Sequence, residues 1–227
     1  MQYRDFERIM SSARMSRYLT ACGGDTRKSM TLYRLNLKLS QEMFTIVSCF
    51  EVSLRNAIDE NYVLSHGAHW LKDAQRPGGM FMVNSCRVSR GIITNNLNRT
   101  RANYTHAKLL AEMDFGFWRY MFAQPQYYAG GQSLMRIFPL KPRSSRLQQY
   151  NQRYVFNELK QINDLRNRIA HHEPICFRLG AAVIDSTYIE EKYQKLITLL
   201  GWMDVDHVGL LYGLDHIDKL IVKLNSI

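Results

Sequence analysis

The sequence predicts an all-α fold. Apolar residues recur at helical spacing in several long segments, whereas the alternating pattern of a β-strand is scarce. The 227 residues are 46% apolar and 22% charged, which supplies a sizeable hydrophobic core and excludes a disordered chain. The two strongest breaks in the helical pattern, Arg76–Gly79 and Gln124–Arg146, are rich in Gly and Pro. We therefore expect one helical domain over residues 1–227, with a basic Gly- and Pro-rich loop inserted in it.

The first long helix is predicted over Ser40–Tyr62, with Ser40 placed to cap its start. The apolar positions on its predicted inner face are Phe44, Val47, Leu54 and Ile58. A dense aromatic block follows further along the chain, and its helical spacing favours a place in the core over base stacking. The members of this block are Phe115, Phe117, Trp118, Tyr120 and Phe122.

A second long amphipathic helix is predicted between Tyr150 and Ile169, and Pro174 is expected to stop it. Its apolar residues step by three or four positions and are Val155, Leu159, Ile162, Leu165 and Ile169. Thr187 with Glu190 forms a capping-box signature for a helix to about Leu200. A short helix is predicted over residues 214–224, and residues 175–183 form either a short hairpin or an extended connector.

The formal net charge of +10 favours an anionic partner, and it is concentrated in one part of the chain. The segment Ala74–Asn157 holds 12 Lys and Arg against only Glu112 and Asp114. Most of these cations are arginines, whose planar fork matches phosphate groups and stacks on exposed bases. The segment is therefore expected either to contact RNA or to form a solvated surface.

The motifs that the sequence lacks and the shortness of its apolar runs exclude several classes of protein. It lacks the glycine-rich nucleotide-binding motifs and the His-Glu-x-x-His zinc motif. Its N-terminus has no signal-peptide stretch, and its apolar runs are far shorter than the ~20 residues of a membrane-spanning helix. The four cysteines are widely spaced, as in proteins with reduced thiols. We therefore expect a cytoplasmic protein that does not bind membranes and needs no metal or other cofactor.

The most informative segment is Leu165–Pro174, where the predicted second helix ends. Arg166, Asn167, His171 and His172 are the candidate catalytic residues. A histidine exchanges protons near neutral pH, and an arginine stabilises the charge that develops on a phosphate under attack, so this set suits RNA cleavage without a metal. Five residues of α-helix turn the chain by about 140°, so Arg166 and His171 cannot lie side by side on one regular helix. Either the helix unwinds before Pro174, or two copies of the segment meet in a homodimer.

The segment resembles the Arg-Asn-x3-His signature of HEPN-domain proteins, in the form found in the Abi-like abortive-infection family. Three further stretches resemble blocks of that family in the same order, namely Leu32–Asn36, Phe50–Ile58 and Phe115–Trp118. The resemblance covers about residues 32–175 and leaves residues 176–227 as a C-terminal helical extension. It implies a HEPN-like helical bundle, a dimeric metal-independent endoribonuclease, and a toxin-like role in antiviral defence.

The resemblance places Arg166 and His171 in the catalytic positions and Asn167 beside them. His172 is either a second catalytic group or a histidine that bonds the free carbonyls at the helix end. Arg166 could alternatively form a structural salt bridge. Glu51 falls inside the predicted apolar stripe, so it is either half of a buried ion pair with Arg55 or a carboxylate that orients Arg166 or His171.

The predicted RNA-binding residues lie in the basic segment. They are Arg99, Arg101, His106, Arg136, Lys141, Arg143 and Arg146. Tyr127, Tyr128 and Phe138 alternate with the cations of the Gly- and Pro-rich loop, which suits contact with single-stranded RNA. Arg101 and His106 either contact phosphate or form a second acid–base pair.

Three classes of function are consistent with these features. The first is an endoribonuclease that cleaves RNA by attack of the 2′-hydroxyl, with an antitoxin or a regulatory noncoding RNA as a candidate partner. The alternative is a non-catalytic RNA-binding module that holds a structured or noncoding RNA. The third is a dimerisation scaffold for a partner protein.

Overall fold

The computed structural model describes residues 1–100 and 103–227, and within them the protein is all-α, as predicted. The helices are α1 (Tyr3–Met10), α2 (Ser12–Ala21), α3 (Thr26–His66), α4 (Trp70–Asp73), α5 (Arg87–Thr100), α6 (His106–Ala111), α7 (Phe115–Tyr120), α8 (Gln124–Ala129), α9 (Gln152–Ala170), α10 (Thr187–Trp202), α11 (His207–Leu210) and α12 (Ile217–Asn225). Short 3-10 turns occur at Met80–Met82, Asn84–Cys86 and Leu134–Ile137. The chain forms two compact units, each built from separate stretches of sequence.

The first unit comprises Met1–Cys49, Asp164–Ile197 and His207–Ile227. Its core includes an edge-to-face aromatic cluster, in which the ring of Tyr18 lies 5.0 Å from the rings of both Tyr33 and Phe177. Phe6 packs on Tyr33 with ring centroids 5.4 Å apart. These contacts pack the N-terminal helices against the segment after α9, next to the turn at the end of that helix.

Helix α3 is much longer than the sequence predicts. It begins at Thr26, where Asp25 Oδ1 accepts the free backbone N–H groups of Arg27 and Lys28 at 2.9 and 3.0 Å. Ser40 therefore lies inside the helix, and its prediction as a cap is wrong. The prediction that Phe44 is buried is also wrong, because its side chain is 42% exposed. The buried stripe is centred on the neighbouring face and contains Leu39, Met43, Ile46, Val47, Phe50, Leu54, Ile58 and Tyr62.

The second unit comprises Phe50–Asn163 and Thr198–Asp206. The aromatic block forms part of its core as predicted, with Phe115, Phe117, Trp118 and Phe122 at most 2% exposed. The exception is Tyr120, which is 47% exposed. Helix α7, which carries most of this block, is capped at its start by Asp114, whose Oδ1 accepts the backbone N–H of Phe117 at 2.8 Å.

The Gly- and Pro-rich segment is more ordered than the sequence suggests. Its first half forms α8 and a 3-10 turn, joined by residues 130–133, and the longest stretch without regular structure is residues 138–151. Tyr127 and Phe138 are 9% and 1% exposed, so their prediction as RNA-stacking side chains is wrong. Tyr127 donates its hydroxyl to the carbonyl of Gln132 at 2.7 Å, and Phe138 packs on Phe122 with centroids 5.8 Å apart. Tyr128 remains 51% exposed.

The second long amphipathic helix is confirmed as α9, in which Val155, Leu159, Ile162 and Leu165 are fully buried. The two C-terminal helices are also confirmed, as α10 and α12. Between α9 and α10 the chain forms one antiparallel bridge, between Phe177 and Ile184, so the connector is a short hairpin. Over residues 1–100 and 103–227, no helix has both the length and the apolar character needed to span a membrane.

Candidate active site

The candidate catalytic residues surround the C-terminal end of α9, which closes in a Schellman turn. The backbone N–H of Glu173 donates to the carbonyl of Arg168 at 2.8 Å, and that of His172 donates to Ile169 at 2.9 Å. His172 occupies the left-handed position of this turn with φ of 57°. Pro174 follows directly and prevents the helix from continuing. The sequence of the helix end therefore directs the chain away from the axis just after His171.

The helix stays regular through the motif. The backbone N–H of His171 donates to the carbonyl of Asn167 at 2.9 Å, so the helix does not unwind before His171. Arg166 and Asn167 are half-buried, and Arg166 Nη1 donates to Asn167 Oδ1 at 3.4 Å. His171 and His172 are exposed. We expected either local unwinding or a homodimer to bring Arg166 and His171 together. The helix does not unwind, because its last turn retains its hydrogen bonds.

Arg168, which is not among the predicted site residues, holds this turn in place. Its Nη2 donates to the carbonyl of Pro174 at 2.6 Å, and its Nε lies 3.3 Å from Glu173 Oε2. Its guanidinium also lies 4.6 Å from the centre of the Tyr188 ring. Burial raises the pKa of Tyr188, so its hydroxyl is neutral beside the arginine. The sequence indicates this role, because Arg168 is a cation in the last turn of α9 and such cations commonly bond to the carbonyls at a helix end.

Asn36 fixes the segment that follows the turn. Its side chain is 4% exposed, and its Oδ1 accepts the backbone N–H of Ile175 at 2.9 Å. A buried backbone N–H without an acceptor would cost about 1–3 kcal/mol, so this bond specifies how α3 and the post-helix segment pack. Asn36 belongs to the stretch Leu32–Asn36 and Ile175 follows the motif. The stretch Leu32–Asn36 is therefore linked by a direct hydrogen bond to the residue that follows the motif, within the first unit.

A cleft of about 440 Å³ opens beside the helix end, between α2 and residues 171–174. It is lined by His171, His172, Glu173 and Pro174 on one side and by Arg14, Arg17 and Tyr18 among the residues of the other side. Arg14 Nη1 donates to the backbone carbonyl of His172 at 2.7 Å. Sequence reasoning missed both arginines, because they lie about 150 residues from the motif and outside the basic segment.

The predicted supporting pair lies in the second unit. Glu51 is half-buried in α3, at the edge of the buried stripe and not at its centre. Arg55 is half-buried as well, and its Nε donates to Asn56 Oδ1 at 3.4 Å. Their proposed roles, an ion pair or the orientation of a catalytic side chain, stay predictions.

The predicted RNA-binding residues also belong to the second unit. Arg99, Arg136, Arg143 and Arg146 are exposed, and Lys141 is half-buried. No carboxylate in the part of the chain that the structure describes forms a salt bridge with any of these five side chains. Arg101 lies outside the described residues. The basic segment therefore presents unpaired cations to solvent, as an RNA-binding surface requires.

His106 has a different environment from these cations. Its side chain is only 15% exposed, and its Nε2 lies 2.7 Å from Asp59 Oδ1. The same carboxylate oxygen accepts Trp70 Nε1–H at 2.7 Å. His106 thus helps to join α3, α4 and α6 within the second unit, and its predicted contact with RNA is untested.

The fold and this helix end define an all-α protein with an arginine, an amide and two histidines grouped at the close of one helix. The family described as Abi-like protein matches residues 2–176, which include every one of these side chains. The chain belongs to that family, which indicates a context of abortive infection and defence. No curated protein and no solved structure matches the chain significantly.

Proposed function

We propose that this protein is an endoribonuclease of the Abi-like family, with its active site at the C-terminal end of α9. The observation that carries the proposal is that His171 is exposed and lines a cleft that also contains two arginines. Arg166 lies one and a half helical turns earlier with its guanidinium beside Asn167 Oδ1. A proton-exchanging group and fixed positive charge are the elements that RNA cleavage by internal attack requires.

In the proposed reaction, neutral His171 removes the proton from a ribose 2′-hydroxyl. The 2′-oxygen then forms a bond to phosphorus, and the bond from phosphorus to the 5′-oxygen breaks. A protonated imidazole gives its proton to the departing 5′-oxygen, and Arg166 stabilises the negative charge on the non-bridging oxygens. The products are a 2′,3′-cyclic phosphate and a 5′-hydroxyl, so no net oxidation or reduction occurs.

The proposed active form is a homodimer. The side chains of Arg166 and His171 point about 140° apart on a regular helix. The helix stays regular here because the backbone N–H of His171 donates to the backbone carbonyl of Asn167. A two-fold axis beside the helix ends would bring Arg166 of one copy to His171 of the other. The second copy would also supply the second imidazole, and His172 of the same chain is the alternative donor.

The decisive experiment is incubation of the purified protein with single-stranded RNA in the presence of EDTA. We expect cleavage products that carry 2′,3′-cyclic phosphate ends. His171→Ala and Arg166→Ala should each reduce the rate about 100-fold or more, since they remove proton transfer and charge stabilisation respectively.

The matched control is His207→Ala, which removes a histidine of the same unit that does not line the cleft. It should cleave at the wild-type rate. Loss of cleavage in EDTA, or a wild-type rate in His171→Ala, contradicts the proposed mechanism.

A second candidate function is a non-catalytic RNA-binding module, which the unpaired exposed cations of the second unit favour. Arg143→Glu with Arg146→Glu should then abolish RNA binding, whereas His171→Ala should leave it unchanged. The matched charge control is Lys219→Glu with Lys223→Glu, which reverses two exposed cations on α12. Binding that also fails in this control would indicate a nonspecific effect of net charge.

We propose further that an antitoxin or a regulatory noncoding RNA restrains the protein in the cell. Induced expression of the wild type beside His171→Ala tests this. Growth arrest by the wild type alone supports a catalytic toxin that needs a control partner, whereas equal growth of the two strains contradicts toxicity through His171.

A further inference from the structure

Arg14 carries an unneutralised positive charge at the candidate site. It is exposed on α2, and its hydrogen bond to the carbonyl of His172, at 2.7 Å, leaves the charge of the guanidinium uncompensated. Within residues 1–100 and 103–227, no carboxylate forms a salt bridge with it. One N–H of Nη1 is used by the carbonyl, and the other donors of the planar group remain for a ligand.

The other charged groups of the cleft have partners. Arg17 directs its Nε and Nη2 to the carbonyls of Arg178 and Ala181, at 2.6 to 3.2 Å, and stacks 4.6 Å from the centre of the Phe177 ring. Glu173 lies 3.3 Å from Arg168 Nε, which offsets its negative charge. Arg14 is thus the cation of the cleft that is both fixed in position and open to an anion.

The hydrogen bond from Arg14 to the carbonyl of His172 favours ligand binding by the guanidinium. A guanidinium held by a backbone carbonyl loses less side-chain freedom when it binds, so more of the interaction energy appears as affinity. The fork of an arginine matches two oxygens of a phosphate group. The anchored carbonyl belongs to the residue directly after His171, so an anion bound to Arg14 lies at the same turn as the proposed general base.

We propose that Arg14 binds a backbone phosphate of the RNA at this site, which makes it a substrate-positioning residue contributed by α2. The inference rests on the proposed function, because it takes RNA as the ligand. The cleft chemistry alone would also accept free inorganic phosphate, and the two sources are separated below.

The test measures binding without cleavage. A fluorescent single-stranded oligoribonucleotide with 2′-O-methyl groups lacks the nucleophile, so its anisotropy reports affinity alone. Arg14→Ala should weaken binding about fivefold to tenfold at moderate salt, and Arg14→Lys should give an intermediate loss because it keeps the charge without the fork. The slope of log affinity against log salt should fall in magnitude by about 0.7 in Arg14→Ala, as expected for one lost phosphate contact.

Arg27→Ala is the matched control, since Arg27 is an exposed arginine of the same unit that does not line the cleft. It makes the same change of net charge and should leave both affinity and salt slope as in the wild type. Thermal unfolding of each variant verifies that Arg14→Ala is folded. Equal affinity and slope in Arg14→Ala and Arg27→Ala overturn the inference.

The outcomes also separate this inference from the proposed function. If the wild type does not cleave RNA but its binding depends on Arg14, the endoribonuclease proposal fails and the phosphate site stands. If the wild type cleaves RNA and Arg14→Ala binds and cleaves equally well, only the inference fails. Binding of inorganic phosphate at millimolar concentration that is lost in Arg14→Ala, without any oligonucleotide binding, would overturn RNA as the ligand.

Discussion

Arg14 and Arg17 lie three residues apart on α2, yet the structure gives them different tasks. Arg17 makes three hydrogen bonds to the carbonyls of residues 178 and 181 and stacks on Phe177. The side chain of Arg14 makes one hydrogen bond, to the carbonyl of His172, and is exposed. At the scale of single residues, the number of partners therefore distinguishes a structural arginine from one available to a ligand.

We predict that Arg17→Ala destabilises the protein. Hydrogen bonds from a charged donor are worth about 1.5–3 kcal/mol each, and the carbonyls of the 178–181 turn can regain water, so the expected loss in the free energy of unfolding is about 2 kcal/mol. Urea unfolding followed by circular dichroism measures this. Arg14→Ala, which removes the same group from the same helix, should change the value by less than about 1 kcal/mol. Equal losses in the two variants would show that Arg14 is structural as well.

At the scale of the element, the end of α9 places His172 in a left-handed backbone conformation, which a residue with a Cβ disfavours. His172 has φ of 57°, a conformation that costs a side chain with a Cβ about 1 kcal/mol relative to Gly. The Schellman hydrogen bonds and the anchor from Arg14 hold it there. The turn thus keeps two adjacent imidazoles at the mouth of the cleft, where a glycine would give a more stable helix end.

We predict that His172→Gly keeps or raises the stability by up to about 1 kcal/mol, since glycine adopts a positive φ without strain. His172→Val should lower it by about 1–2 kcal/mol, because a β-branched side chain is disfavoured there. Thermal unfolding of both variants checks the prediction. A stability ranking with Val above Gly would contradict the left-handed turn. His172→Gly also removes the second imidazole without disturbing the turn, so its cleavage rate reports whether His172 takes part in catalysis.

A second element-scale feature is the carboxylate of Asp59, which joins three helices of the second unit. Its Oδ1 accepts from Trp70 on α4 and lies 2.7 Å from His106 on α6. We predict that Asp59→Ala lowers the free energy of unfolding by about 3 kcal/mol, because two partly buried polar groups lose their partner together. Denaturant unfolding followed by tryptophan fluorescence measures the loss.

Asp73→Ala is the control for this substitution. Asp73 pairs with Arg76 at 2.7 Å, but both side chains are about half exposed. Solvent weakens such a pair, so the expected loss is below about 1 kcal/mol. Similar effects of the two substitutions would mean that the Asp59 contacts are no stronger than a surface ion pair.

At the scale of the whole molecule, both compact units are basic. The first holds 15 Lys and Arg against 11 Asp and Glu, and the second holds 15 against 9. The densest positive charge lies between residues 74 and 157 of the second unit, with 12 Lys and Arg against 2 Asp and Glu, whereas the rest of that unit is acidic, with 3 against 7. The first unit nevertheless has its own positive cleft, because folding brings Arg14 and Arg17 to the end of α9.

We also predict a loss of global stability at alkaline pH. Burial raises the pKa of the Cys176 thiol from 9.0 to about 12, and burial likewise raises the pKa of the Tyr18 hydroxyl above its ordinary 10.0. The folded state retains these protons after the unfolded chain has released them. The stabilisation is therefore complete below about pH 9 and declines as the pH rises toward 12.

Urea unfolding at pH 7.5, 9.0 and 10.5 under reducing conditions measures this decline. Tyr18→Phe keeps the ring and removes the ionisable hydroxyl, so it should lose less stability than the wild type between pH 9.0 and 10.5. Stability that stays constant or rises over this interval in the wild type would contradict the prediction.

The features that depend on neighbours along the chain can be predicted from the sequence alone. The all-α class, helix α9 with its apolar stripe, and the grouping of Arg166, Asn167, His171 and His172 at a helix end all follow from periodicity and from the position of Pro174. These are local properties, because hydrogen bonds and side-chain spacing within one helix join residues three to five apart.

The features that depend on residues far apart in the sequence follow only from tertiary packing. Only packing shows that Phe44 is exposed, because a helical pattern does not specify which face meets the core when both faces carry apolar residues. Only packing likewise shows that Tyr127 and Phe138 are buried, since their nearness to cations and to Gly and Pro in the sequence does not report which side chains meet the core. Only the fold brings Arg14 to the carbonyl of His172, 158 positions along the chain. The candidate catalytic residues can be read from the sequence, but the cleft beside them cannot, because α2 and the end of α9 become neighbours only when the core forms.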